Sequence, residues 1–142
     1  MKNTQASLPS TELVLTCARA AIDKKANHSL IYEVGKLGAF TDYFLITSGA
    51  SDRQVRAIAD AIHRLGREKG MGHPKMEGFD EGRWVLIDFG SVVIHVFHDD
   101  IREFYDLESL WTDAPRLGIP AEYYASQGAT SAASSSSSSS RA

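Results

Sequence analysis

The residues best suited to chemistry are two serines in a turn and one aspartate. Ser48 and Ser51 flank Gly49-Ala50 between an apolar run and an amphipathic segment, and the first turn of a helix can bind phosphate on its free backbone amides. Asp88 ends a second apolar run. These three residues would suit a nucleotide-binding or nucleotidyltransferase-type enzyme. The motif is weak, because no lysine follows in P-loop spacing and one glycine does not make a dinucleotide fingerprint.

The pair of carboxylates that such an enzyme needs is missing. A metal-dependent phosphoryl-transfer site requires two carboxylates on one face of a strand, two residues apart. The residues at that spacing from Asp88 are Leu86 and Gly90. Asp106 and Glu108 have the spacing, but they follow a helical pattern that would point them in different directions. We therefore predict no catalytic residue.

The histidines and the cysteine do not predict a metal site or a nucleophile. His95 and His98 fall on opposite faces of a predicted strand, and His63 and His73 lack ligand spacing relative to them. We expect a structural role for His95, no metal and no cofactor. Cys17 lies on the apolar stripe of the first predicted helix, which indicates a small buried residue.

Composition narrows the class of protein. The chain has 142 residues, 43% hydrophobic, with a formal net charge of −3 and a pI near 5.9. This length fits one domain, and the acidity argues against binding bare nucleic acid by bulk charge. The most apolar windows are far shorter than the roughly 20 residues of a membrane helix, and no signal sequence is visible. We expect a cytoplasmic protein that needs no membrane and no direct contact with nucleic acid.

The order of elements predicts an α/β fold in which a mixed sheet is sandwiched with helices. Residues 8–117 form the predicted body, and residues 118–142, which include a run of seven serines, form a tail predicted to be disordered. The predicted elements are a helix over 10–25, strands over 29–34 and 43–47, a helix capped by Ser51 and ending near Gly70, a loop over 71–82, strands over 83–89 and 92–98, and a helix after 98.

The last two strands allow a prediction of register. Gly90-Ser91 lies between them and is typical of a two-residue hairpin turn. This turn pairs residue 89 with 92, 88 with 93, and so on to 84 with 97. One face of the hairpin is then wholly aliphatic and aromatic: Val85, Ile87, Phe89, Val92, Ile94 and Val96. The other face contains a carboxylate and an imidazole: Trp84, Leu86, Asp88, Val93, His95 and Phe97.

The segment after the hairpin predicts a short helix and a cluster of aromatic residues. Asp99 or Asp100 is the expected cap, and Ile101, Phe104 and Tyr105 form the expected apolar stripe. Aromatic side chains are concentrated in this part of the chain, and aromatic residues are common anchors of protein interfaces. Recognition of a protein partner is therefore a stronger hypothesis than catalysis.

Several ordered motifs across the body resemble the ribosomal silencing factor, or Iojap, family. Their order and spacing make the resemblance specific. The matching segments are 41–46, 49–55, 57–60, 77–78, 82–88, 93–97, 102–111 and 113–115.

The resemblance implies a fold and a function. The fold is nucleotidyltransferase-like but lacks the catalytic carboxylates of that superfamily. The function is binding to the fourteenth protein of the large ribosomal subunit, which sterically blocks joining of the small subunit and represses translation when nutrients are scarce. The resemblance also allows a homodimer of the free protein. Two alternatives stay open: the nucleotide-binding enzyme described above, and a structural partner in some other complex.

The resemblance also implies the contact residues. It places the contact surface around Trp84 and Tyr105, with Phe89 near the hairpin tip. Ser91 stands where the family usually has aspartate. Three further candidates for partner binding match motif positions: Glu77, Asp88 and Arg102.

Overall fold

The structure is a computed structural model that describes residues 8–125. The helices are α1 (Ser10–Asp23), α2 (Asp52–Glu68) and α3 (Asp99–Tyr105), with short 3₁₀ helices at Val34–Leu37, Leu107–Trp111 and Ala121–Tyr124. The strands are β1 (Asn27–Tyr32), β2 (Tyr43–Gly49), β3 (Lys75–Glu77), β4 (Trp84–Asp88), β5 (Val92–His98) and β6 (Arg116–Leu117).

The six strands form one mixed sheet in the order β3-β4-β5-β2-β1-β6. β2 and β5 pair in parallel, and the other neighbours pair antiparallel. The predicted α/β fold with a mixed sheet is therefore confirmed. The prediction of a loop over 71–82 was wrong in part, because Lys75–Glu77 adds an edge strand to β4. The Gly and Pro residues on either side are typical of a loop. This strand is defined by its pairing with β4 and not by its own sequence pattern.

Helices α1 and α2 cover one face of the sheet and form the main core with it. Cys17 is buried there, and burial raises the pKa of its thiol to about 12, so the thiol stays protonated at neutral pH. The fully buried side chains of this layer include Val14, Cys17, Ile58 and Ile62 from the helices and Val85, Ile87, Ile94 and Val96 from the strands.

The predicted hairpin register is confirmed. Trp84 pairs with Phe97, and the ladder continues in step to the pair of Asp88 with Val93. Gly90 has φ +91°, a left-handed conformation that glycine adopts without strain. Side chains that alternate along β4 and β5 therefore lie on the two faces of the hairpin that the sequence predicts.

Helix α2 begins as predicted. Ser51 is the N-cap, and its hydroxyl oxygen accepts a hydrogen bond from the amide of Gln54 (3.1 Å). The Gln54 side chain in turn accepts from the amide of Ala50 and donates to the carbonyls of Lys24 and Lys25. The cap thus also ties α2 to the turn that follows α1.

The last helix differs from the prediction. Its N-cap is His98, whose Nδ1 accepts the amide N–H of Asp100 (3.2 Å), and neither aspartate is the cap. Phe104 and Tyr105 are exposed instead of forming a buried stripe. The helix ends after seven residues, at Asp106 in the left-handed conformation, and its buried position is taken by Arg102.

The chain on both sides of the predicted domain boundary at residue 117 contacts the rest of the fold. Strand β6 pairs with β1, and the 3₁₀ helix at Ala121–Tyr124 contacts α1. There the guanidinium of Arg19 lies 5.1 Å from the ring centroid of Tyr123. The serine run of the predicted tail lies outside the described residues.

Candidate functional site

Most of the predicted contact residues lie on the sheet face opposite α1 and α2. Because Val85 and Ile87 point into the helix-covered core, strand alternation turns Trp84, Leu86 and Asp88 to the other side. Glu77 is the register partner of Leu86 on the edge strand and shares this side. Tyr105 reaches it from α3 by contacting the ring of Trp84. We call this set, Glu77, Trp84, Leu86, Asp88 and Tyr105, the open face.

Trp84 lies at the centre of the open face and is held from several directions. Its ring centroid is 4.8 Å from that of Phe97 and 5.1 Å from that of Tyr105. Its indole N–H donates a hydrogen bond to Nδ1 of His95 (3.2 Å). Tyr105 is itself 55% exposed. Tryptophan and tyrosine are enriched among the residues that contribute most to the energy of protein interfaces.

His95 lies beneath Trp84 and is buried. Burial lowers the pKa of its imidazole from 6.5 to about 4, so the ring is neutral at pH 7. Because Nδ1 accepts the Trp84 N–H, the ring proton resides on Nε2. Among the described residues, Nε2 has no hydrogen-bond partner. The prediction of a structural role is consistent with this position.

Arg102 is buried and its guanidinium is engaged within the protein. Nη1 donates to the carbonyl of Asn27 (3.2 Å) and to the hydroxyl of Ser48 (3.1 Å). Nε and Nη2 both lie 2.9 Å from Oε2 of Glu108. These bonds join α3 to the ends of β1 and β2. Arg102 therefore positions the helix that carries Tyr105 and is not itself at the surface.

Phe89 lies on the opposite side of the sheet from Trp84. It packs on Gly66 of α2 so closely that a Cβ placed there would be 2.3 Å from its ring. Asp88 remains on the open face, where Oδ1 accepts the amide N–H of Gly90 (2.8 Å) and stabilises the hairpin turn. The structure thus brings Glu77, Trp84, Asp88 and Tyr105 to one side and separates Phe89 from them.

The three residues of the enzyme hypothesis do not form a common site. Ser48 is paired with Phe97 and Asp88 with Val93, positions that are about 13 Å apart along β5 at roughly 3.3 Å per residue. The Ser48 hydroxyl binds internal groups, and Ser51 caps α2. Within residues 8–125, no group of three or more His, Cys, Asp and Glu side chains could hold a metal ion.

The segment that carries most of the open face is acidic, although Lys75 on β3 is the register partner of Asp88 and lies on the same side. Residues 77–113 contain ten Asp and Glu side chains but only two Arg and no Lys. An open cleft of about 580 Å³ lies beside α3, and its lining includes Asp99, Glu103, Asp106 and Glu108. Two exposed apolar side chains, Phe104 and Leu110, lie in the same part of the chain. Such a surface favours a basic protein partner.

Comparison with known proteins identifies the family. The family model described as "Ribosomal silencing factor during starvation" matches residues 7–142. The chain belongs to the ribosomal silencing factor family. The resemblance read from the motifs is thereby confirmed.

No helix within residues 8–125 is long and apolar enough to cross a membrane.

Individual relatives support the same family. The chain is 52% identical over 98 residues to the ribosomal silencing factor of Bacillus subtilis, a match covering 69% of this chain and 83% of that protein. It is 40% identical over 76 residues to the mouse protein named mitochondrial assembly of ribosomal large subunit protein 1, covering 51% of this chain and 33% of that one. A crystal structure of a Chromobacterium violaceum protein has a TM-score of 0.71 at 31% identity, covering 74% and 88% of the two chains.

Sequence reasoning missed the contact between Trp84 and His95. The signal was available, since the confirmed register makes these residues diagonal neighbours on the same face, within reach of long side chains. It also missed the inward direction of Arg102. The sequence separation of Arg102 from Asn27, 75 residues, left no local signal for that contact.

Proposed function

We propose that this protein binds the large ribosomal subunit through its fourteenth protein, and thereby blocks association of the two subunits and represses translation under nutrient limitation. Family membership supports action on the ribosome. The name of the mouse relative refers to assembly of the large subunit, which favours the large subunit as the partner. A protein with this role acts where ribosomal subunits are assembled, which in a bacterium is the cytoplasm.

The observation that carries the proposal is the open face itself. Trp84 is held in place by Phe97, Tyr105 and His95, yet remains partly exposed. In our proposal Trp84 and Tyr105 are the central contacts, and Leu86 extends the apolar surface between them and the sheet edge. Aromatic residues at the centre of an interface usually contribute most of its binding energy.

Charge supports the choice of partner. Ribosomal proteins that contact RNA are generally basic, and residues 77–113, which carry most of the open face, have a large excess of acidic groups. Glu77 is exposed at the sheet edge, and Asp88 is partly exposed beside the hairpin tip. We propose that these two carboxylates lie at the rim, where they speed association, while the aromatic residues slow dissociation.

Two of the residues implied by the resemblance act indirectly in this proposal. Arg102 holds α3 against the ends of β1 and β2 and so places Tyr105. Phe89 packs on α2 and so fixes the hairpin from the other side of the sheet. Neither needs to touch the ribosomal protein.

The mechanism is steric and requires no catalysis. A folded body seated on a large-subunit protein occupies space that the small subunit needs. The resemblance also allows the free protein to form a homodimer, which the mass of the free chain in solution would test.

The experiment is a subunit-joining assay. Purified protein is added to dissociated ribosomal subunits under rejoining conditions, and a sucrose gradient separates free subunits from joined ribosomes. We expect joined ribosomes to decrease with added protein and the protein to sediment with the large subunit. Normal joining at saturating protein would contradict the proposal. The Tyr105→Ala variant should inhibit joining less, while its circular dichroism spectrum stays that of a folded protein.

A further inference from the structure

We propose that His95 is a positioning residue of the open face, whose Nδ1 fixes the Trp84 indole in the orientation that binds the partner. This inference rests on the proposed function, because it assumes that Trp84 is a contact residue. It adds a role for a buried side chain that does not itself reach the partner.

The geometry gives His95 this role. It lies on β5 opposite Leu86, two residues from the partner of Trp84 in the β4–β5 ladder. His95 is 5% exposed. Its ring contacts the edge of Phe44 (4.8 Å between centroids) and lies nearly parallel to Phe97 (6.2 Å, 14°). An acceptor fixed in this way allows one orientation of the Trp84 N–H at 3.2 Å.

Packing alone does not explain an imidazole at this position. With Nδ1 accepting from Trp84, the Nε2–H is a buried donor without a partner in the described part of the chain, and an unpaired buried donor is destabilising. An aliphatic side chain of similar size would pack here without that cost. What the imidazole offers here and an aliphatic side chain does not is the Nδ1 acceptor for the Trp84 N–H.

A fixed indole binds more tightly than a mobile one. Without the acceptor, the partly exposed Trp84 could donate to water in several orientations, and the partner would have to immobilise it on binding. Immobilising one side chain on association weakens affinity on the order of tenfold. This is the size of effect we expect from losing the hydrogen bond while keeping both rings packed.

Two substitutions separate positioning from packing. His95→Leu removes the acceptor but fills most of the space, so we expect an unfolding midpoint at or above that of the wild type and roughly tenfold weaker binding to large subunits. His95→Asn keeps an acceptor, since its Oδ1 occupies the place of Nδ1, but it is smaller. We expect it to be less stable and yet to bind within about threefold of the wild type. A purely structural histidine predicts that binding follows stability in both variants.

Fluorescence provides a direct readout of the indole. The chain has two tryptophans, so a Trp111→Phe background, first checked for wild-type binding, leaves Trp84 as the one emitter. We expect His95→Leu to lower the steady-state anisotropy of Trp84 and shift its emission to the red, and His95→Asn to leave both near the background values. If His95→Leu does not fold, His95→Phe replaces it with the same expectations.

The outcomes distinguish this inference from the function on which it rests. If Trp84→Ala abolishes binding but His95→Leu binds like the wild type, or if its Trp84 anisotropy is unchanged, the positioning role is overturned and the proposed function stands. If Trp84→Ala itself binds normally, the proposed contact surface is overturned. Loss of binding by both His95 variants in parallel with their stability would also overturn the positioning role.

Discussion

The two faces of the sheet differ in what they contain and what covers them. The face under α1 and α2 is lined by aliphatic side chains that are fully buried, such as Val85 and Ile87. The open face carries aromatic and polar groups on the same strands, with Trp84 and Leu86 partly exposed. Under the proposed function, neighbouring residues of β4 therefore have different roles, one in the core and the next in binding. Strand alternation lets a small domain separate the residues that stabilise the fold from those that recognise a partner.

The largest loss of stability is expected from truncating a side chain on the sheet face that α1 and α2 cover. Ile87→Ala should lower the free energy of unfolding by about 2–5 kcal/mol, because Ile87 is fully buried and its truncation leaves a cavity. Leu86→Ala, one residue away on the open face, should cost about 1 kcal/mol, because Leu86 is only partly buried. Denaturant titration measures both values.

The effects of these two substitutions on binding affinity should have the opposite order to their effects on stability. Below the unfolding transition, Ile87→Ala should bind large subunits like the wild type, whereas Leu86→Ala should bind less tightly. If both variants lost similar stability and similar affinity, the separation of roles along β4 would be wrong.

The next largest effect is the dependence of stability on pH, which we expect from His95, the imidazole buried under the open face. The pKa of His95 is lowered from 6.5 to about 4 by burial, so between these values the unfolded chain binds a proton that the folded chain does not. The stability associated with the neutral ring is complete above pH 6.5. It is lost as pH falls towards 4, by about 3 kcal/mol.

The His95→Leu variant isolates this contribution. The wild type should lose more stability than the variant between pH 6.5 and 4, and the two should run parallel above pH 6.5. His73→Gln, which changes an exposed imidazole, serves as the control and should follow the wild type. Parallel curves for wild type and His95→Leu throughout would show that His95 is not buried as a neutral ring.

The smallest loss of stability is expected from removing the N-cap of α2, which lies on the helix-covered side of the sheet. Ser51→Ala removes the hydroxyl that accepts from the Gln54 amide and should lower stability by about 1 kcal/mol. Since Ser51 caps a helix that packs on the other face of the sheet, binding should be unchanged. Thermal unfolding and a binding titration check the two halves of this prediction. Weaker binding at unchanged stability would extend the contact surface to the α2 side.

Much of this fold could be predicted from local patterns, and the exceptions share a physical cause. The Gly90-Ser91 turn and strand alternation were enough to predict the hairpin register, and the spacing of Ser51 and Gln54 was enough to predict the cap. The edge strand β3 depends on pairing with β4. The inward direction of Arg102 depends on the carbonyl of Asn27, far away in the sequence. Such contacts have no signature in a local window.

The open face required more than the sequence pattern. The resemblance gave Trp84 and Tyr105 their expected roles, and the structure shows that their rings are in contact. Phe89 was expected at the same surface, yet strand alternation already placed it with Ile87 on the other side. Its packing on Gly66 agrees with the alternation.

The central claim is that the open face is where this protein binds the ribosome. The most direct measurement is the affinity of Trp84→Ala for the purified fourteenth large-subunit protein, beside the wild type and Tyr124→Ala. Tyr124 is also an exposed aromatic residue, but it lies near β6 at the other edge of the sheet. We predict at least roughly 30-fold weaker binding for Trp84→Ala and an unchanged affinity for Tyr124→Ala. Equal affinities of the wild type and Trp84→Ala would contradict the claim.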